Sequence, residues 1–310
     1  MTLPDSVADR LNKRLPPDIR DVARQAGRIA EEKGTRAALV GGVVRDLMLE
    51  RPILDADIMI EPPSSAVAEE LARRIGGRLT PHAPFLTYNL HLPDGRKIDL
   101  VTAREENYPK PAVLPVVRPA TFEKDLKRRD FGINAIVCLL GKSEGTIFDP
   151  LNGRADMEKR IVRALHEKSF IDDPTRIYRA ARFAGRLGFS VEPATEQWIL
   201  SAIRDKGPER LSPVRRRHEF EMVLKEPSPG AALKILQRWK ALDFLGEGWN
   251  AAPVDAVDFG AAPQDGSDAL ARRLTAWLLP FGKDAAGRMM NALQFERTMK
   301  KNVLTRFGGG

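Results

Sequence analysis

Apolar residues recur with two different spacings in this chain, and the change of spacing divides it near residue 150. Up to that point, short apolar runs typical of buried strands alternate with segments of helical spacing. A Pro-Asp-Gly turn joins two of these runs as a hairpin. Strands are predicted at 37–40, 88–92, 97–101 and 132–140, and an amphipathic helix at 67–75.

Beyond residue 153 no further strand is predicted, and the remaining pattern is helical. A helix is also predicted near the start of the chain, at 18–33, and the segment 246–266, rich in Ala, Pro, Gly and Asp, resembles a linker. The pattern therefore predicts an α+β protein, in which a small domain with a sheet precedes an all-helical part. The later helices are predicted at 156–163, 174–187, 193–204, 213–225, 230–240, 267–279 and 285–305.

Composition favours a globular protein that handles a polyanion. The 310 residues include 50 Lys and Arg against 42 Asp and Glu, and the resulting formal charge of +8 suits a partner rich in phosphate. Hydrophobic residues make up 43% of the chain, enough for a sizeable core. No secretory segment and no membrane-spanning apolar run is present, so we expect a cytoplasmic protein without a membrane partner.

Cysteine and histidine offer little chemistry here. Cys138 is the only cysteine, and its apolar surroundings are typical of a small buried hydrophobe, so neither a disulfide nor a structural zinc site is expected. None of the four histidines is followed by Asp. Phosphohydrolase motifs built on His-Asp pairs are therefore excluded.

The segment 39–60 carries the strongest functional signal. A strand runs into Gly41 and Gly42, a helix follows, and the next apolar segment carries Asp55 and Asp57. Alternate residues of a strand share one face, and two carboxylates side by side are favourable when divalent cations lie between them and a phosphate substrate. The Gly-Gly turn lets backbone N–H groups approach a phosphate. Taken singly, the glycines are more often a tight turn and the acids a solvated strand end.

Asp99 is a candidate third acid. It lies on the strand predicted at 97–101, and if that strand pairs beside Asp55 and Asp57, three carboxylates could hold two magnesium ions. The alternative is an ordinary exposed aspartate next to Lys97. The order of the motifs predicts a metal-assisted nucleotidyl transfer site.

Five motifs follow one another along the chain: GGVVRD at 41–46, DAD at 55–57, DLKRRDFGINA at 125–135, DPLNG at 149–153 and DDPTRIYRAARF at 172–183. They resemble the ordered motifs of the class II tRNA nucleotidyltransferase and bacterial poly(A) polymerase family, and the similarity covers roughly residues 36–225. It implies a head of the DNA polymerase beta type with a mixed sheet and helices (36–150), after an N-terminal helical segment (1–35). A helical neck that selects nucleotides (151–225) and a helical body with a short tail that binds tRNA (226–310) would follow.

The resemblance also implies roles for residues of the head. Asp55 and Asp57 would be the Mg²⁺ ligands, and Gly41 and Gly42 would face the incoming nucleotide. Asp99 is a further catalytic candidate because of its strand position and not because of the resemblance. The remaining positions implied to bind or support the nucleotide are Arg45, Arg129, Asp130 and Asn134.

In the neck, Asp173, Arg176 and Arg179 are spaced by threes, so on one helix they would share a broad face. An acceptor beside donors could match the edges of both cytosine and adenine, which share an exocyclic amine next to a ring acceptor. The resemblance implies that these residues select CTP and ATP, and that Arg182 also contacts the nucleotide. Without the upstream motifs, a surface helix with ion pairs would be the better interpretation.

Two positions depart from the family pattern. The family usually has Glu where Asp172 stands, and Val214 occupies a position where Glu is common. Arg215 and Glu219 keep the family spacing and are expected to pair with each other. Base selection is therefore inferred less directly than metal binding.

The resemblance implies an enzyme that adds CCA, or its terminal A, to tRNA 3′ ends from CTP and ATP, with Mg²⁺ and without an obligate protein partner. The proline-rich segment 108–124 resembles the flexible loop of A-adding members, which favours A addition over CC addition alone. Two alternatives stay open. A poly(A) polymerase would use the same head with ATP alone, and a catalytically silent relative would only bind RNA.

Overall fold

The computed structural model describes residue 3 and residues 6–53, 56–246, 248–249, 254–260 and 267–308. The chain forms two compact units. The first comprises Met1–Pro109, Leu114–Lys159 and Arg163–Leu165, and the second comprises Lys110–Val113, Arg160–Val162 and His166–Gly310. No helix in the described ranges is both long and apolar enough to span a membrane.

The first unit is built around a mixed sheet, which confirms the predicted α+β class. Seven of its described strands form one sheet in the order β3-β4-β5-β2-β1-β8-β9, and β6 and β7 form a separate hairpin. Most neighbours are antiparallel, but β2 and β5 run parallel. The strands are β1 (Ala37–Val40), β2 (Asp57–Ile60), β3 (Arg78–His82), β4 (Thr87–His91), β5 (Lys97–Thr102), β6 (Arg104–Asn107), β7 (Val116–Pro119), β8 (Val137–Leu139) and β9 (Ile147–Phe148).

Helices cover the sheet because its central strands are apolar on both faces. Strand β1 is buried at every position, as expected for a strand packed from two sides. One face, which includes Val40 and Met59, packs against Phe122 and Leu126. The helices of this unit are α1 (Ala8–Arg14), α2 (Pro17–Glu32), α3 (Gly42–Met48), α4 (Ser64–Ile75), α5 (Phe122–Lys127) and α6 (Gly153–Glu158).

The strand predicted at 132–140 is shorter in the structure. Gly132–Asn134 is a 3₁₀ turn, and β8 begins only at Val137. A methyl group at Gly132 would lie 2.2 Å from Asp156 Oδ2, so the buried carboxylate occupies the space that a side chain would need. The close approach of α6 therefore leaves room only for glycine at this position.

The predicted flexible loop at 108–124 is partly regular. Strand β7 pairs antiparallel with β6, from Arg104 opposite Pro119 to Asn107 opposite Val116. Helix α5 then begins at Phe122, whose side chain is fully buried. Regular structure thus limits the irregular part of this segment to its tip.

The described part of the second unit is helical apart from two very short strands. Strands β10 (Ile161–Val162) and β11 (Ser190–Val191) pair in parallel, so the helix predicted at 156–163 is wrong beyond Glu158. The helices are α7 (Ser169–Asp172), α8 (Thr175–Leu187), α9 (Pro193–Arg204), α10 (Gly207–Arg210), α11 (Pro213–Leu224), α12 (Pro229–Arg238), α13 (Ser267–Leu278), α14 (Gly282–Ala292) and α15 (Arg297–Leu304).

The single helix predicted at 285–305 is divided into α14 and α15. Gln294 has φ +53°, and the N–H groups of Gln294 and Phe295 donate to the carbonyl oxygens of Asn291 and Met290 at 3.0 and 2.9 Å. These two bonds form a Schellman motif, which ends a helix, and Phe295 is buried beside it. Most of the predicted linker 246–266 lies outside the described residues.

Arg273 of α13 connects two separate segments of this unit and is only 2% exposed. Its Nη1 donates to the carbonyl oxygens of Leu224 and Glu226 at 2.7 and 2.6 Å. Its Nε and Nη2 donate to the carbonyl oxygens of Phe259 and Gly260 at 3.0 and 3.1 Å. One guanidinium therefore joins carbonyl groups of two chain segments, and the bonds to Leu224 and Glu226 are buried.

Candidate active site

A glycine turn connects β1 to α3 in the first unit. Gly41 has φ +73° and ψ −124°, a conformation that L side chains rarely adopt. A methyl group there would lie 3.2 Å from Arg129 Nη1, so the missing side chain also lets this guanidinium approach the turn. Helix α3 has only seven residues, so we attribute the positive charge at this turn to Arg129 and not to the N-terminus of the helix.

Arg45, predicted to contact the nucleotide, is 2% exposed. Its Nε and Nη2 each donate to Asp46 at 2.9 Å, and its Nη1 donates to Asn134 Oδ1 at 2.8 Å. Asn134 Nδ2 in turn donates to Asp130 Oδ1 at 3.2 Å. The structure thus joins three of the predicted site residues in one hydrogen-bonded chain, in which Arg45 holds Asn134 and Asn134 holds Asp130.

Asp125 pairs with Arg129 and fixes the orientation of its guanidinium group. The Arg129 Nε and Nη2 atoms lie 2.9 and 2.8 Å from Asp125 Oδ1. Nη2 is also 3.8 Å from the sulfur of Met59, which is two residues after Asp57 and therefore on the same face of β2. Arg129 consequently lies on the face of the sheet that carries Asp57.

Asp125 was given no role in the sequence analysis, but it organises this corner of the unit. It is fully buried and accepts from Arg104 N at 3.1 Å and from Arg128 Nε and Nη2 at 3.0 and 2.7 Å. Burial by itself raises the pKa of Asp125, but Arg129 and Arg128 outweigh burial and leave the pKa below its usual value. The signal for this role was local, because the two arginines follow Asp125 by three and four residues on a helix.

Asp57 and Asp99 are directly opposite each other in the parallel pair β2–β5, which confirms the predicted pairing of their strands. Both side chains therefore point to the same face of the sheet. Asp99 Oδ1 accepts from Asn89 Nδ2 at 2.6 Å and lies 3.1 Å from Lys97 Nζ. Asp55, the other predicted ligand, lies outside the described residues.

Among the described residues, no group of three or more His, Cys, Asp and Glu side chains forms a complete metal site. The two register-paired carboxylates nevertheless suit a hard cation, because Mg²⁺ prefers oxygen ligands and usually keeps several waters. The donor chemistry therefore fits a divalent metal of the kind that nucleotidyltransferases generally use.

In the second unit, Asp173 precedes helix α8 and is not part of it. Its backbone is extended, with φ −136° and ψ 92°, because the following Pro174 disfavours the helical conformation at this position. Asp173 Oδ1 accepts from Thr175 N at 3.1 Å and from Thr175 Oγ1 at 2.7 Å, so it satisfies the first N–H group of α8 from the position before the N-cap residue Pro174. The prediction that Asp173, Arg176 and Arg179 share one helix face is therefore wrong for Asp173.

Arg215 pairs with Asp173, so the prediction that it pairs with Glu219 is wrong. Its Nη2 lies 2.8 Å from Asp173 Oδ1, and its Nη1 donates to the carbonyl oxygen of Ala112 at 2.7 Å. Glu219 is instead 3.6 Å from Arg182 Nη1. Burial raises the pKa of Glu219, although Arg179 and Arg182 oppose this shift.

The three arginines of α8 that were predicted to bind the nucleotide differ in accessibility. Arg176 is 5% exposed and donates to Ser169 Oγ at 2.7 Å, whereas Arg179 is half-buried and lies over the ring of Phe183. Arg182 is 6% exposed and donates to Glu226 Oε1 at 3.0 Å. Contact of Arg182 with a nucleotide stays a prediction, and its visible role is structural.

Glu226 is the second residue that the sequence analysis missed. It is 2% exposed and accepts from both Arg182 and Arg186. Its partners lie 44 and 40 residues earlier in the chain, so no local spacing could reveal the pairing. Only the fold brings these charges together.

The chain was compared with protein-family models and with curated proteins. Residues 37–163 match the model described as Poly A polymerase head domain. An A-adding tRNA nucleotidyltransferase of Halalkalibacterium halodurans is 35% identical over 249 residues, covering 77% of this chain and 57% of that protein. A CC-adding tRNA nucleotidyltransferase of Deinococcus radiodurans is 39% identical, covering 73% of this chain and 59% of that protein. The chain thus spans little more than half the length of these two relatives.

Solved structures resemble the fold along most of the chain. A CCA-adding enzyme in apo form II superposes with a TM-score of 0.75 at 30% identity, covering 100% of this chain and 72% of that one. The Thermotoga maritima CCA-adding enzyme complexed with tRNA also gives a TM-score of 0.75, at 27% identity, and covers 98% of this chain and 73% of that one. These likenesses confirm the predicted fold.

Proposed function

The chain belongs to the class II tRNA nucleotidyltransferase and poly(A) polymerase family, and from that premise we propose that it adds nucleotides to the 3′ ends of tRNA. The reaction would use CTP and ATP, need no nucleic-acid template and complete the CCA end or add its terminal A. The observation that carries this proposal is the register pairing of Asp57 with Asp99 on the face that also carries Arg129.

The head would hold Mg²⁺ through Asp55 and Asp57, with Asp99 as a third acid. When bound, the metal supplies charge neutralisation for nucleotidyl transfer. Arg129 lies beside the Gly41–Gly42 turn and presents a fixed guanidinium to a phosphate. Because Asp125 holds this guanidinium in place, little side-chain entropy would be lost when a triphosphate binds.

The part of the chain around α8 would select the base. Asp173 offers a carboxylate acceptor whose orientation is fixed by Thr175 and Arg215, and Arg176 and Arg179 follow on the helix as donors. An acceptor beside donors fits the amine and ring nitrogen that cytosine and adenine share. Uracil and guanine present the opposite pattern at the same edge, so they would leave buried groups unpaired.

The later helices, 226–310, would contribute to tRNA binding together with the positive charge of the chain. An enzyme of this kind would act in the cytoplasm, where tRNA is matured and used. A poly(A) polymerase remains the second candidate, because the matching family model carries that description.

The deciding experiment supplies the purified chain and Mg²⁺ with tRNA ending at the discriminator base, at C or at CC. CTP and ATP are given separately and together, and product length is read on a sequencing gel. We expect addition that stops at CCA, or a single A on the CC end. Long A tracts on any RNA would support the polymerase, extension only to CC would indicate a CC-adding enzyme, and no extension would contradict the proposal.

A further inference from the structure

A row of polar side chains crosses the sheet of the first unit from Asp57 toward its edge. Asp57 is opposite Asp99, Asp99 is opposite Asn89, and Asn89 is opposite Thr80 on the edge strand β3. Residues directly opposite each other share one face of a sheet, with Cβ atoms close enough for side chains to interact. The row therefore extends outward from the candidate metal ligands.

Two hydrogen bonds run along this row. Asn89 Nδ2 donates to Asp99 Oδ1 at 2.6 Å, and Asn89 Oδ1 lies 2.7 Å from Nε2 of His82. A carboxylate can only accept, so the Asn89 amide must present its NH₂ group to Asp99 and its oxygen to His82. His82 must then donate from Nε2, which fixes the direction of the whole chain from His82 through Asn89 to Asp99.

The two oxygens of Asp99 are used differently. Oδ1 receives both Asn89 Nδ2 and Lys97 Nζ, the latter at 3.1 Å. Within the described part of the chain, no donor reaches Oδ2. The Asp99 side chain is 43% exposed, so packing alone does not hold it in one orientation. The hydrogen bond from Asn89 supplies the orientation that packing lacks.

From this geometry we propose that Asn89 is a positioning residue, which holds Asp99 by Oδ1 so that Oδ2 serves as the metal-ligand oxygen. The proposal deepens the proposed function and rests on it for the identity of the site. Outer groups that orient a metal ligand typically change metal affinity by about 10- to 100-fold when they are removed. Asn89→Ala should therefore weaken divalent metal binding although Asn89 touches no metal.

The test measures Mn²⁺ binding to the full chain, without nucleotide or RNA, from the electron paramagnetic resonance signal of free Mn²⁺. We expect Asn89→Ala to raise the dissociation constant at least about tenfold. Asn89→Leu keeps the branched shape of the side chain without its polar atoms and should do the same. Thr80→Ala is the matched control, because Thr80 lies in the same row without a side-chain hydrogen bond in the described structure, and it should bind Mn²⁺ like the unchanged protein. Unchanged melting temperatures would show that the variants fold.

Two results would overturn the proposal. One is wild-type Mn²⁺ affinity in both Asn89 variants, and the other is an Asp99→Ala variant that binds Mn²⁺ normally, since Asp99 would then not be a ligand. Neither result touches the tRNA extension experiment, which depends on activity of the unchanged chain. Conversely, a chain that extends no RNA but loses Mn²⁺ affinity in the Asn89 variants would contradict the proposed function and keep this inference.

Discussion

Two sets of acidic side chains, one in each unit, differ in accessibility. In the first unit, Asp57 and Asp99 lie on paired strands with partly exposed side chains, where a cation from solution can reach them. In the second unit, Glu226 is 2% exposed, and Arg182 and Arg186 neutralise it. A buried ion pair that loses one partner costs far more than an exposed one. Accessibility therefore distinguishes the acids that we propose as metal ligands from an acid that stabilises the fold.

Asp57→Ala should produce the largest effect if this distinction holds. We expect nucleotide addition to fall at least about 1,000-fold, because charge neutralisation by a metal contributes several kcal/mol to such reactions. The melting temperature should stay close to that of the unchanged chain. Extension assays and thermal unfolding measure the two quantities, and Asp94→Ala in the exposed hairpin turn is the control. Substantial activity in Asp57→Ala would contradict the role of Asp57 as a metal ligand, and the contrast with Glu226 would no longer hold.

Glu226→Gln should do the reverse of Asp57→Ala and lower stability more than activity. The substitution removes the buried carboxylate that accepts from the buried Arg182 and from the partly exposed Arg186, so we expect the free energy of unfolding to fall by about 3 kcal/mol. The folded fraction should still add nucleotides. Chemical denaturation gives the stability, and Glu221→Gln on the same stretch of chain, where the pair with Arg217 is 3.6 Å long, should change it by less than about 1 kcal/mol. Equal losses in the two variants would refute the assignment.

Asp173→Ala tests whether a residue can serve both purposes. Loss of the hydrogen bonds to Thr175 and of the ion pair with Arg215 should cost about 1 kcal/mol of stability, and the preference for CTP over UTP should fall at least about tenfold. Glu192→Ala is a matched control, because Glu192 caps α9 through Thr195 N and Oγ1 at 2.7 and 2.8 Å. A similar loss of stability with unchanged nucleotide preference is expected there. Unchanged preference in Asp173→Ala would leave Asp173 with its structural role alone.

The pH dependence of stability should differ in sign between the units. The pKa of Asp125 is lowered in the fold, so its stabilisation is present above the unfolded value of about 4 and is lost as pH falls through the folded pKa. The pKa of Glu219 is raised, so its ionisation reduces stability as pH rises from about 4.3 through the folded pKa. Chemical denaturation across pH 3–7 measures both effects. Compared with the unchanged chain, Asp125→Asn should lose less of its free energy of unfolding as the pH falls. Glu219→Gln should gain stability relative to the unchanged chain as the pH rises. The same sign in both variants would contradict the assignment.

His82→Ala should give the smallest effect. His82 reaches Asp99 only through Asn89, so we expect Mn²⁺ affinity to fall by less than about tenfold, with stability unchanged because the side chain is exposed. The electron paramagnetic resonance titration used for Asn89 measures this difference. A larger loss than in Asn89→Ala would mean that His82 acts on the metal site by another route.

Local signals predicted the first unit well. The apolar run before Gly41, the Pro-Asp-Gly hairpin and the alternation of Asp57 with its neighbours are all short-range patterns, and the structure confirms the strands that they predict. Asp125 also had a local signal in the two arginines that follow it. The strand pair β10–β11 had none, because two residues in each strand are too few to produce a period.

The errors in the second unit have physical causes. Pro174 excludes Asp173 from the helix, a local effect that periodicity alone does not capture. Arg215 pairs across 42 residues with Asp173 although Glu219 is four residues away on its own helix. Spacing gives the possible partners of a charge, and the fold decides between them.

The guanidinium of Arg273 has a consequence for the order of synthesis. The carbonyl groups of Leu224 and Glu226 receive their donor from a residue made 49 and 47 positions later. Until α13 has left the ribosome, these two carbonyl groups at the end of α11 lack that donor. A nascent chain arrested before Arg273 should therefore be cut by proteases near residue 226 much faster than one arrested after α13.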